Sequence, residues 1–245
     1  MPHTDRTAGL IVIGNEILSG KVIDSNAPFL ARELRTIGVE LRRIVTIPDE
    51  VEEIAAAVRE FRGRFNVVFT SGGVGPTHDD VTMAGVAQGV GRAVVRHPEI
   101  DRRLREFFKD KANEARLKMA EVPEGAELIL DPKLGFPTVM VEDVYILPGI
   151  PELFEQKFAG LRERFLATPY VLRVVYTTEG EGAIAEHLNA TLAAYPDLLL
   201  GSYPRLDQTE YAVKLTLESK DASYVQAAFD HLVARLPDGS VVRTE

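Results

Sequence analysis

Cysteine is absent from the 245 residues, which excludes disulfides and thiolate metal sites and leaves oxygen and imidazole as the available metal donors. Donors of that kind favour hard cations such as magnesium. Long apolar runs are also absent. Met1 to Arg6 is polar, and the run that follows, Leu10 to Ile13, is too short for a signal segment or a membrane span. A cytoplasmic protein with no membrane partner is expected. Positive charge is in deficit, with 28 Lys and Arg against 37 Asp and Glu for a formal net charge of -9. Binders of nucleic acid or anionic membranes carry a basic face that displaces counterions, so no nucleic-acid partner is expected. The one basic stretch, Arg102 and Arg103 through Arg116 and Lys118, is interleaved with Glu106, Asp110 and Glu114 at helical spacing. It reads as a solvated helix face.

What is present is a hydrophobic fraction of 45%, enough for one good core and a second, smaller one. Short apolar runs alternate with amphipathic segments in the first part of the chain, the pattern of a parallel sheet covered by crossover helices. Strands are expected at Leu10 to Ile13, Val39 to Ile47 and Val67 to Thr70, with helices at Asn26 to Ile37, Glu50 to Arg62 and about Val81 to Val90. A longer helical stretch ending near Lys118 follows, then strands at Thr138 to Val141 and Val144 to Leu147, then a helix after Pro148-Gly149-Ile150-Pro151. The pattern breaks at Ala167-Thr168-Pro169 and restarts, which divides the chain into domains 1–168 and 169–245. The second reads strand Val171 to Tyr176, helix Ala183 to Ala194, strands Leu198 to Tyr203 and Tyr211 to Leu217, helix Tyr224 to Leu236, and strand Ser240 to Arg243. That order, βαββαβ, is a ferredoxin-like α+β unit. Along Tyr211 to Leu217, Val213, Leu215 and Leu217 form the core-facing set, leaving Ala212, Lys214 and Thr216 on the other side.

The chemistry concentrates in Ser71-Gly72-Gly73-Val74-Gly75-Pro76-Thr77-His78-Asp79-Asp80. A strand delivers the chain into a glycine-rich turn, and a helix starts just beyond it. Such a turn can present bare N–H groups to anionic oxygens, although an ordinary strand-to-helix turn also uses glycine. The spacing fits neither a P-loop nor a dinucleotide fingerprint. Asp79 and Asp80 can cap the following helix. Beside an anion-seeking loop, however, two carboxylates would repel a phosphate unless a divalent cation lay between them. Asp49, with Glu52 after it, has the form of a capping box. Asp49 also follows the second strand, at the same carboxyl edge as Asn15 and Glu16 after the first strand and Asp24, Ser25 and Asn26 before the first helix. Ligands of open parallel sheets bind at that edge. His78 reads as a loop residue, and the Pro148 to Pro151 turn as a rigid turn placed to form the far wall.

Taken in order, Gly14-Asn15-Glu16-Ile17-Leu18-Ser19-Gly20, Asp24-Ser25-Asn26, Pro48-Asp49, the Ser71 to Asp80 loop with Val81-Thr82, and Pro148-Gly149-Ile150-Pro151 resemble the molybdopterin-binding-like domain of competence-damage-inducible protein A. Phe136-Pro137, Val144 to Leu153, Leu200-Gly201-Ser202-Tyr203-Pro204, Tyr211 to Leu217 and Ala234 to Ser240 extend the resemblance toward the N-terminal half of eukaryotic-type FAD synthase. Neither the synthase domain nor an amidase domain is matched. The resemblance implies a three-layer, mostly parallel sheet and hydrolysis of a dinucleotide pyrophosphate such as ADP-ribose or FAD to mononucleotides. It also implies a divalent cation (Mg2+, Co2+ or Mn2+), potassium, and self-association, most simply as a homodimer. Asp49, Asp79 and Asp80 become the catalytic positions, joined by Glu16 as metal ligands, while Ser71, Gly72, Gly73, Gly75, Pro76, Thr77, Asn26 and Gly149 hold the nucleotide. Asn15 departs from the aspartate common in relatives. Two other readings use the same loop: a pterin-binding adenylyltransferase of molybdenum-cofactor assembly, and a nucleotide-binding regulatory module without turnover.

Overall fold

The computed structural model describes residues 6–130, 134–205 and 210–245, so the polar start, Met1 to Asp5, lies outside the described residues. The chain divides into two compact units between Ala167 and Thr168. The first contains β1 (Thr7–Ile13), a one-turn helix α1 (Asn15–Leu18), α2 (Asn26–Thr36), β2 (Glu40–Ile47), α3 (Val51–Arg62) and β3 (Val67–Ser71). It continues with α4 (Thr82–Val90), β4 (Val94–Arg96), α5 (Pro98–Phe108), α6 (Glu114–Leu117), β5 (Glu121–Pro123), β6 (Glu127–Ile129), β7 (Thr138–Val141), β8 (Val144–Leu147) and α7 (Pro151–Leu161).

Six strands form one sheet in the order β2-β1-β3-β8-β7-β6. The first four are mutually parallel, and β7 and β6 run antiparallel at one edge. Successive side chains of a strand point to opposite faces, so Leu10 and Val12 pack with Leu30, Leu34, Phe154 and Phe158 of α2 and α7. Ile11 and Ile13 pack with Ile54, Val58 and Val86 of α3 and α4 on the other side. Both faces being covered explains why β1 and β3 read as unbroken apolar runs. The result is the expected three-layer, mostly parallel sheet.

Three local expectations need correction. The helical stretch expected to run to Lys118 is broken, because Lys109 takes a left-handed φ of 48° at the end of α5 and Asn113 starts a new turn by accepting from Arg116 N at 3.0 Å. Asp49 and Glu52 do not form a capping box: the residue before α3 is Glu50, and no side chain among the described residues caps that helix. Helix α4 likewise starts after Val81 with no side-chain cap, so neither Asp79 nor Asp80 caps it.

The second unit runs β9 (Val171–Thr177), α8 (Glu181–Ala194), β10 (Leu199–Pro204), β11 (Val213–Ser219), α9 (Ala222–Val233) and β12 (Val241–Thr244). Its sheet is antiparallel throughout, in the order β10-β11-β9-β12, which is ferredoxin-like. Val213, Leu215 and Leu217 meet Ile184, Val225, Ala228 and Leu232 of the two helices. The central strand begins at Val213 and not at Tyr211. Thr216, expected on the open side, is only 8% exposed. It lies between Val174 and Gly201 on the flanking strands, and the Tyr203 ring folds over Gly201.

Candidate functional site

The site is assembled where β1, β3 and β8 end side by side. Gly72 N donates to Leu147 O at 3.2 Å, which carries the β3–β8 ladder one residue past the strand. The backbone then turns through φ values of 106° at Gly72 and 62° at Gly73. No side chain fits at Gly72, where a Cβ would stand 2.1 Å from Ile13 O. A Cβ on Gly149 would stand 3.2 Å from Gly72 Cα, so the Pro148 to Pro151 turn lies directly against the glycine loop. Behind the loop, the buried Thr82 hydroxyl donates to Gly72 O at 2.8 Å and Thr82 N donates to Gly73 O at 3.0 Å. The amides of Gly73, Val74 and Gly75, by contrast, donate to no acceptor among the described residues. Successive unpaired N–H groups of this kind form a concavity suited to an anion.

Asn26 closes one side of the site. Asp24 Oδ1 accepts from Asn26 N at 2.9 Å and Ala27 N at 3.2 Å, which satisfies the start of α2 and leaves the Asn26 side chain to reach across. Its Nδ2 donates to Ser71 Oγ at 2.9 Å and Gly149 O at 2.8 Å. Because a carbonyl accepts only, this fixes the orientation of the amide. Asn26 Oδ1 is then left buried with no partner among the described residues, and Asn26 is 5% exposed. A buried acceptor without a donor costs about 1–3 kcal/mol, and a ligand hydroxyl or N–H would remove that cost. Asn26, Glu16, Asp24, Ser71 and Gly149 line a pocket of about 60 Å³.

The carboxylates are distributed around the loop. Asp80 Oδ2 accepts from Thr77 N at 2.8 Å, and the Thr77 hydroxyl lies 2.5 Å from both Asp79 Oδ1 and Asp80 Oδ2. One hydroxyl proton serves one acceptor at a time, so the two carboxylates compete for it. The Thr77 hydroxyl, helped by the Asp79 amide and by the neighbouring basic side chains of His78 and Lys118, holds the Asp79 carboxyl below its ordinary pKa. Asp49 turns away from α3 and accepts from Asn15 N at 2.7 Å, pinning α1. Glu16, Asp49 and Asp79 line one open cleft of about 600 Å³ with Asn15 and Lys21. Asp80 faces a separate cavity of about 100 Å³ beside Gly73, Val74, Gly75 and Lys118. Pro76 lies between these groups on the exposed arc, and His78 is almost wholly in solvent, 3.9 Å from Asp79 Oδ1.

The four expected metal ligands are therefore not gathered into a ready-made cage, and no three Asp, Glu or His side chains among the described residues are close enough to hold a metal ion together. The donor chemistry still fits a hard cation, because magnesium is commonly held by one or two carboxylates with water and substrate phosphate completing its shell. Asp79 or Asp80 next to the unpaired loop amides supplies that arrangement. Two residues were given no role at the site by the sequence reading. Thr82, adjacent to the loop, fixes its inner side. Lys118, expected in solvent, is half-buried, and its Nζ donates to Thr77 O and Asp80 O at 3.1 Å each. No sequence pattern signals that bond, since Lys118 lies 38 residues beyond Asp80.

Sheet and loop define an α/β protein with a glycine-rich turn of unpaired amides at the carboxyl edge of its parallel strands. A family model described as "Probable molybdopterin binding domain" matches residues 9–168, and one described as "FAD synthase, middle domain" matches residues 169–245. The chain belongs to the molybdopterin-binding-domain family, in its competence-damage-inducible-protein-A-like branch near the N-terminal half of FAD synthase. A protein of Archaeoglobus fulgidus is 37% identical over 196 residues, covering 80% of this chain and 85% of the relative. The "Probable FAD synthase" of Caenorhabditis elegans is 29% identical over 255 residues, covering 93% of this chain and 49% of the relative, so the chain spans about half of that protein. The crystal structure of CinA from Thermoplasma acidophilum, described as of unknown function, is 30% identical with a TM-score of 0.61, covering 66% of this chain and 99% of that one. No helix among the described residues is long and apolar enough to cross a membrane.

Proposed function

We propose that the first unit hydrolyses a dinucleotide pyrophosphate of the ADP-ribose or FAD class to two mononucleotides, with a divalent cation. The observation that carries this reading is the set of unpaired amides at Gly73, Val74 and Gly75 beside Asp79 and Asp80. In this reading the amides bind diphosphate oxygens, and Asn26 Oδ1 accepts from a hydroxyl or N–H of the same ligand. Asp79 and Asp80 hold the cation, while Asp49 and Glu16, across the open cleft, orient the attacking water. Water adds to one phosphorus, the bridging P–O bond breaks, and each phosphorus leaves on its own mononucleotide. When bound, the cation would neutralise charge on the diphosphate and ease ionisation of the water. The description of the matching family supports a second reading, in which the loop holds the phosphate of a molybdopterin without hydrolysis.

Incubation with Mg2+ or Co2+ and a panel of ADP-ribose, FAD and related dinucleotides, followed by chromatography, separates the two. AMP with ribose 5-phosphate or FMN is the expected product pair. Tight binding of a pterin phosphate with no mononucleotide released from any dinucleotide would remove the hydrolytic reading.

A further inference from the structure

Next to the glycine loop, on the side away from Asn26, lies a cavity of about 150 Å³ lined almost entirely by apolar groups, among them Val74, Met83, Leu104, Phe108 and Phe136. Val74 belongs to both sites: its amide is one of the three unpaired donors, while its side chain forms part of the cavity wall. Val74 and Met83 also line the smaller cavity that contains Gly73, Gly75 and Asp80, so the two cavities adjoin across these residues beside the glycine turn. On the far wall, Lys157 Nζ donates to Phe136 O at 3.0 Å and Pro137 O at 2.9 Å, which fixes the backbone that carries the Phe136 ring.

Phe107 stands outside this cavity and is 68% exposed, the only exposed phenylalanine among the described residues. Its ring meets Phe108 edge-on at 5.0 Å and Phe136 edge-on at 5.5 Å, and both of those rings line the cavity. An exposed aromatic ring supported by two others offers a stacking surface for a heteroaromatic ring. The volume suits a ring better than a whole ligand. An apolar cavity of about 150 Å³ accommodates benzene, whereas pockets for complete drug-sized ligands run from about 300 Å³.

We propose that this cavity and Phe107 form a ring subsite, which takes the heteroaromatic end of the molecule whose phosphates lie on the Gly73 to Gly75 amides. The inference rests on the dinucleotide reading given above and adds to it. The subsite makes the protein select for a planar ring next to the phosphate group, so ligands with phosphate but no ring bind weakly. Adenine and the flavin ring system share this chemistry.

The sequence contains no tryptophan, so Phe107→Trp places the only such fluorophore against the two rings, Phe108 and Phe136, that line the cavity. Titration of the full chain with AMP, FMN, ribose 5-phosphate and inorganic pyrophosphate, with Mg2+ and again with EDTA, should quench that fluorescence only for the ring-bearing ligands. Quenching by AMP alone assigns the subsite to adenine, and quenching by FMN alone assigns it to the flavin. Phe107→Ala, at an exposed position, should keep the melting temperature and the pyrophosphate affinity while weakening the quenching ligand by about tenfold in calorimetry. Unquenched Phe107→Trp together with unchanged AMP and FMN affinity in Phe107→Ala overturns the proposal. The two readings fail separately. Hydrolysis of dinucleotides with no effect of either substitution removes the ring subsite alone, and ring-dependent quenching without hydrolysis removes the catalytic reading alone.

Discussion

Each unit contains a strand that leads into a helix, and the two connections are built differently. Between β11 and α9 the chain turns at once: Asp221 accepts from Ser223 N at 2.8 Å and Tyr224 N at 3.0 Å, and the helix start is satisfied. Those bonds, with the Ser223 hydroxyl foremost, also lower the Asp221 pKa. Between β3 and α4 the chain takes the long glycine turn and, among the described residues, caps the helix with no side chain and leaves three amides without acceptors. A structural connection can be made with one aspartate, so the longer one carries groups that folding alone does not require. Unpaired backbone donors and a buried amide oxygen are costs that a ligand can remove. That asymmetry is what supports the proposal that the first unit binds the ligand.

The glycine turn is most sensitive at Gly72. Gly72→Ala puts a Cβ against Ile13 O at a φ of 106°, which should cost on the order of 2 kcal/mol or more and abolish nucleotide binding. Wild-type thermal stability together with intact calorimetric binding would show that the turn tolerates a different shape. Next in size, Asp79→Asn and Asp80→Asn should each lower the cation-dependent rate by about tenfold or more, since the amide keeps the Thr77 contacts and loses the charge. Unchanged turnover in both would reduce the pair to loop supports. Lys118→Met releases the carbonyls of Thr77 and Asp80, and should weaken nucleotide affinity by a few-fold, on the scale of one or two hydrogen bonds, with little change in melting temperature. The smallest effect on ligand belongs to the other connection: Asp221→Ala should lower the melting temperature slightly and leave nucleotide affinity as it was. A matching loss of affinity would show that the two units do not divide the work.

Acid should act on the first connection in a definite direction. The Asp79 pKa is lowered in the folded protein, so the stability it contributes is present above its unfolded value, about 3.9, and is lost as pH falls through the folded value. Cation-dependent binding that declined between pH 8 and pH 6 would contradict Asp79 as the titrating ligand.

Much of this was legible because it depends on local pattern. Short apolar runs marked β1, β3, β7 and β8, alternation marked β11, and the crowding of glycine and aspartate between Ser71 and Asp80 marked the candidate site. What escaped depends on long-range contact or on single dihedral angles. The break at Lys109 follows from one left-handed residue, and the strands β4, β5 and β6, three residues each, are too short to show a period. Asp49 has the sequence form of a cap for α3, yet its carboxylate goes to Asn15 N, a partner that only the parallel pairing of β1 and β2 brings close. The same holds for Lys118 and for the orphaned oxygen of Asn26, whose isolation depends on where Ser71 and Gly149 arrive.

In the proposed reading, the unpaired amides of the glycine turn and the carboxylates beside it act together with a divalent cation on a diphosphate. Product formation from ADP-ribose and FAD, followed by chromatography in Mg2+ and in excess EDTA, tests it most directly. Mononucleotides in Mg2+ and none in EDTA is the predicted result; equal product in both, or none in either, would contradict it.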